Sequence, residues 1–126
     1  MTKRQAKPYG ERLKKLMAEK SLLLSKAQAF ADMGLEETAK PLWSSVASHE
    51  ERIAPLLDAI GRDAEAALHR VSAAACFEKS SDLSRAANLY RAALAGPLAD
   101  AARADVEGKL AACLEQLSQT TVDSVA

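Results

Sequence analysis

AACFEKSSDLSRAANLYRAA, residues 74–93, decides how this chain folds. It carries Ala74, an aromatic three positions on at Phe77, a break at Ser81-Asp82, then Ala86 and a second aromatic four positions on at Tyr90. AQAFADMGLEETAKPLWSSV, residues 27–46, repeats the plan with Ala27, Phe30, a break at Gly34, Ala39 and Trp43. Residues three and four apart are neighbours on a helix surface. A small and a large residue at those offsets, on either side of a short break, let two antiparallel helices interlock. The pattern predicts antiparallel helical hairpins.

Composition agrees. Apolar residues make up 48% of the 126 residues but aromatics only 4%. Alanine supplies much of the rest, and it is the best helix former. Five Gly and four Pro leave little material for the turns of an all-β fold. No run of β-branched residues alternates with period two. The expectation is one all-α domain of about five helices, large enough for a single modest core.

Working outward, residues 1–8 form a disordered basic arm ending at Pro8, residues 9–118 a single helical-repeat domain, and residues 119–126 a frayed tail. A first helix runs from about Gly10 to Met33. Gly34 ends it by supplying a positive φ. The second opens on Glu36-Glu37, acids suited to a helix N-terminus. Ser48-His49-Glu50-Glu51 matches a capping box, and Pro55 follows. Residues 34–47 and 48–61 resemble each other, which fits either two short helices or one long helix bent near Pro55. Their offset is two heptads, which keeps both apolar sets near one face and favours one long, Pro-kinked helix. Later helices span Asp63 to Lys79, with Leu68, Val71, Ala74, Ala75 and Phe77 inward, then Leu83 to Ala95 and Leu98 to Leu117.

Net charge is zero, which argues against a global field for polyanions. Its distribution is uneven. Residues 1–26 hold eight Lys/Arg against Glu11 and Glu19, a balance of +6, so the remainder carries −6. Such an arm suits nucleic acid or an anionic surface, or is simply a solvated helix end. Cys76 and Cys113 lack the spacing of a redox pair or a zinc knuckle, and fit two buried small hydrophobes in a reducing cytoplasm. No stretch has the length of a membrane span, and no apolar region follows the basic N-terminus as in a signal peptide.

Residues 81–94, SDLSRAANLYRAAL, resemble the second half of a tetratricopeptide repeat, with Ala74 and Phe77 at that family's small and aromatic first-helix positions. Gly34, Ala39 and Trp43 match more loosely, with Ala27 and Phe30 upstream. Gly108 falls at the small position of a third repeat. The spacing departs from the family: Ala39 and Ala86 are 47 apart rather than roughly 34, which fits a lengthened hairpin. Residues 64–118 are also similar to the three-helix microtubule-interacting and trafficking domain, through the Ala-to-Leu-Tyr second helix. The tetratricopeptide resemblance implies a concave face built from the first helix of each pair. By position it would include Leu24, Gln28 and Asp32, then Val71, Ala75 and Lys79, and would take a partner helix or an extended peptide.

Chemistry for catalysis is sparse. Glu65 and His69 lie four apart and would make half a metal site, but neither histidine has a Glu three before it, as a carboxylate-bridged di-metal bundle requires. His49 and His69 are expected as surface residues in helix-face ion pairs. No G-x-S-x-G elbow or Gly-rich phosphate loop is present. Trp43 and Tyr90 fit interhelix packing better than ligand stacking. The expectation is no enzyme, cofactor or metal, but a non-catalytic protein-protein interaction module, an adaptor or small regulatory subunit. The alternatives are nucleic-acid binding through the arm, marked by affinity that falls steeply with salt, and a self-assembling scaffold.

Overall fold

The computed structural model describes the backbone of residues 3–125 and the side chains of residues 10–120. Five helices follow in order: α1 (Lys3–Asp32), α2 (Glu36–Ala59), α3 (Asp63–Lys79), α4 (Leu83–Leu94) and α5 (Asp100–Val125). Among the described residues there is no strand. Each helix packs chiefly on its neighbours in the chain, α1 on α2, α2 on α3, α3 on α4 and α4 on α5.

Three of the four connections are the same turn. Gly34, Gly61 and Ser81 all take positive φ, at 76°, 79° and 68°. In each, that residue's N–H bonds the carbonyl three back, and the next N–H bonds the carbonyl five back: Leu35 to Phe30, Arg62 to Leu57 and Asp82 to Phe77. This is the Schellman ending, which satisfies the last carbonyls of a helix and reverses the chain. Only Asp82 adds a side-chain cap, accepting from the Arg85 N–H at 3.2 Å. Gly34 and Gly61 suit the left-handed region; Ser81 does not. Ser81→Gly is therefore expected to stabilise the fold by about 1 kcal/mol, since it relieves that strain and keeps the turn. Urea unfolding checks it, and a destabilised Ser81→Gly would mean that the serine side chain matters there.

The fourth connection differs. Arg103 of α5 reaches back to donate to the Leu94 carbonyl at 2.8 Å and the Gly96 carbonyl at 2.9 Å. Leu94 is the last residue of α4 and Gly96 lies in the connection after it, so one planar guanidinium caps the helix end and holds the turn.

The small residues of the two look-alike stretches, Ala27, Ala39, Ala74 and Ala86, are all fully buried, and Trp43, Phe77 and Tyr90 are buried with them. They form the main core, which continues through Val106 and Cys113 into α5. Fully burying a side chain such as Phe77 is worth roughly 1.5–3 kcal/mol. Leu16, Ile53, Ala54, Leu56, Leu57 and Ala66 form a second cluster. It fills the far end of the long α1–α2 pair, where Ala66 near the start of α3 joins it and no residue of α4 does.

Of the two readings of residues 34–61, the single long helix stands: α2 runs unbroken from Glu36 to Ala59, with Pro41 and Pro55 both inside it. Both prolines are exposed, so the carbonyls of Glu37 and Glu51 that lose a donor lie toward water. Ser48 to Glu51 is mid-helix and caps nothing. Helix α1 begins at Lys3 rather than near Gly10, and α5 extends to Val125 rather than ending near Leu117. The side chains of Lys3, Arg4 and Lys7 lie outside the described residues. Leu68, expected inward, is 55% exposed. It sits one heptad before Ala75, on the side of α3 that neither α2 nor α4 covers. Gly108 meets nothing within 4 Å, so no neighbouring helix uses its smallness.

Candidate functional site

Helix α2 lies between α1 and α3, and its apolar stripe of Trp43, Val46, Ala47, Ile53, Ala54 and Leu57 is buried. One charge stands on that stripe. Glu50 is only 2% exposed. Its Oε1 lies 3.0 Å from Lys20 Nζ of α1, in ion-pair range though not aligned as a hydrogen bond. Its Oε2 lies 2.8 Å from His69 Nδ1 of α3. One buried carboxylate thus ties three helices together. Burial pushes the Glu50 carboxyl up, but His69 and Lys20 together outweigh it and hold the group below its ordinary value.

His49 lies nearby. Its Nδ1 donates to the Ser45 carbonyl at 2.8 Å, and its Nε2 faces Glu19 of α1 at 2.9 Å. Neither histidine is the surface residue expected, because both face across to another helix. Glu65, expected beside His69, bonds Arg62 instead. Among the described residues no group of three or more His, Cys, Asp or Glu side chains is placed to hold a metal ion.

Above Glu50 a depression of about 260 Å³ opens between α1 and α3. Trp43, Val46 and Cys76 border it toward the core, Lys20, Leu24 and Gln28 line it from α1, and Ser72, Ala75 and Lys79 from α3. Lys79 Nζ stands 4.2 Å from the centroid of the Trp43 ring, a cation–π contact that fixes a positive charge at the rim. The volume is below the roughly 300–1,000 Å³ of pockets for drug-sized ligands. It has room for one or two side chains. Cys76 lines it as a thiol, because burial pushes its pKa up more strongly than Lys79 pulls it down.

Of the residues that the sequence places on a concave face, Leu24, Gln28, Ala75 and Lys79 border this depression. Asp32 borders a more open recess beside it, again with Leu24 and Gln28, and accepts a 2.8 Å hydrogen bond from Gln28. Val71 borders neither and packs, partly buried, on the main core. Lys20, Glu50, His69 and Ser72 were not foreseen. A usable sign for Glu50 was present: it is a lone charge four residues after Val46 on an otherwise apolar stripe, a position where a charge needs a partner.

A further polar contact joins α3 and α4. The Tyr90 hydroxyl of α4 donates to Glu78 of α3, and burial, then Glu78, pushes its pKa far up. Cys113 sits beside them, its thiol pushed up to about 11, by burial first and then by Glu78. Among the described residues no helix is long and apolar enough to cross a membrane.

Compared with protein-family models, with curated proteins and with solved structures, the chain matches none.

Proposed function

We propose that this chain is a protein-interaction module, an adaptor or small regulatory subunit, which takes a partner helix or extended peptide along the groove between α1 and α3. The observation that carries the reading is the depression over Trp43, with exposed Leu24 on one wall, Ala75 on the other and Lys79 fixed at the rim. In this reading α1–α2 and α3–α4 are tetratricopeptide-like hairpins, α1 and α3 line the concave side, and α5 closes the array. A bend of α2 near Pro55 would follow from its lost N–H. An apolar side chain of the partner fills the depression, and polar edges at Gln28, Asp32 and Lys79 set its register.

Peptides selected against the folded chain from a random library test this. Binders should quench or shift the fluorescence of Trp43, the chain's only tryptophan, and Ala75→Arg should abolish that binding while leaving the fold intact. Binders that survive Ala75→Arg and leave Trp43 emission unchanged would place the binding surface elsewhere.

A further inference from the structure

The two terminal helices each carry a second stripe, facing solvent. On α1 it comprises Lys15, Ala18, Leu22, Lys26 and Ala29, and it continues to Met33 just past the helix end, all exposed. Leu22 is 60% exposed and Met33 68%. The spacing of three and four keeps these residues on one flank. It is not the groove flank: Leu22 and Leu24 are separated by about 200° around the helix. On α5 the stripe comprises Asp100, Ala104, Glu107, Ala111, Leu114 and Ser118, again all exposed, with Leu114 at 37%. Its buried side is the one carrying Val106 and Cys113.

The stripes match in length and oppose in charge. Each spans about 27 Å at 1.5 Å per residue. The α1 stripe is basic, and neither Lys15 nor Lys26 makes an ion pair among the described residues; the α5 stripe is acidic, and the same holds for Asp100 and Glu107. Laid antiparallel, the two bring Lys26 opposite Glu107, Leu22 opposite Ala111 and Leu114 opposite Ala18, large against small. In the same antiparallel arrangement two α1 stripes would instead set Lys26 against Leu22 and Lys15 against Met33, and two α5 stripes Glu107 against Ala111, with no opposite charges meeting.

We infer that the chain associates with a second copy head to tail, the α1 outer stripe of one copy on the α5 outer stripe of the next. The contact is heterologous, so each added copy leaves one stripe free and the assembly grows with concentration. A single helix pair buries less than a standard interface, so association is weak and weakens further with salt. None of the stripe residues lines the depression over Trp43, although Ala29 borders the open recess beside it.

Sedimentation at low salt tests it. The wild-type chain should grow from monomer to dimer and larger species as concentration rises toward the order of 1 mM. Leu22→Glu blocks the α1 stripe and Leu114→Lys the α5 stripe; each variant alone should stay monomeric with unchanged helicity. Mixed in equal amounts, they keep one good stripe each and should form a dimer that stops there. A wild-type chain that remains monomeric overturns the proposal. So does self-association of Leu22→Glu, which would point to another surface, self-association of Leu114→Lys, which would point to an α1–α1 pair, or a mixture that stays monomeric.

Discussion

Trp43→Ala is expected to destabilise the fold by about 3–5 kcal/mol, on the order of 10–20 °C in Tm for a chain of this size. Trp43 is buried against the main core and supports the floor of the depression. Emptying that space removes contacts with the alanine-rich faces around it, and small neighbours cannot move far enough to refill the void. The ammonium of Lys79 also loses the ring it stands on. Thermal and urea unfolding read the change. Unchanged stability with lost peptide binding would make Trp43 a ligand contact rather than a packing residue.

Lys20→Met is the second large effect, expected at about 3 kcal/mol. Removing one partner of a buried ion pair is costly because the other charge stays behind, and Glu50 has almost no access to water. The lower end of the usual range applies because His69 still bonds the second oxygen. Glu50→Leu should cost less, although it removes the centre of the same network. Its partners Lys20 and His69 have side chains 17% and 18% exposed, and both can turn toward solvent. The double variant should be far from additive. If Glu50→Leu is the more damaging, the carboxylate is doing more than pairing with Lys20 and His69.

The same network sets a dependence on acid. With its folded pKa below the ordinary 4.5, Glu50 contributes stability that is present above that value and is lost as pH falls through the folded value. Tm should therefore fall between about pH 5 and pH 3, and Glu50→Gln should remove its part of that slope. An identical acid slope in Glu50→Gln would assign the effect to other carboxylates.

What was legible in the sequence was local. Ala27 with Phe30 and Ala74 with Phe77 place small and large residues on one helical face, and these offsets hold whatever the rest of the chain does. Gly34 and Gly61 mark their turns for the same reason. Ser81 makes the same turn without glycine, so its left-handed backbone shows only in the structure. The capping-box match at Ser48 to Glu51 misled because S-x-x-E also occurs on the surface of a continuing helix, and nothing there stops α2. The Glu50 network depends on which helices flank α2, which is not a property of any short window. Leu68 followed the apolar period, but the period alone does not show that α3 has a side left uncovered. The groove was partly legible: Leu24, Gln28, Ala75 and Lys79 meet there, whereas Val71, one heptad before Glu78, turns to the core.

Backbone amide chemical-shift mapping with a library-selected peptide tests the groove most directly. The account predicts shifts concentrated at Leu24, Gln28, Ser72, Ala75 and Lys79, together with the indole N–H of Trp43. Shifts concentrated instead on α4, or on the outer stripes of α1 and α5, with the groove residues unmoved, would contradict it.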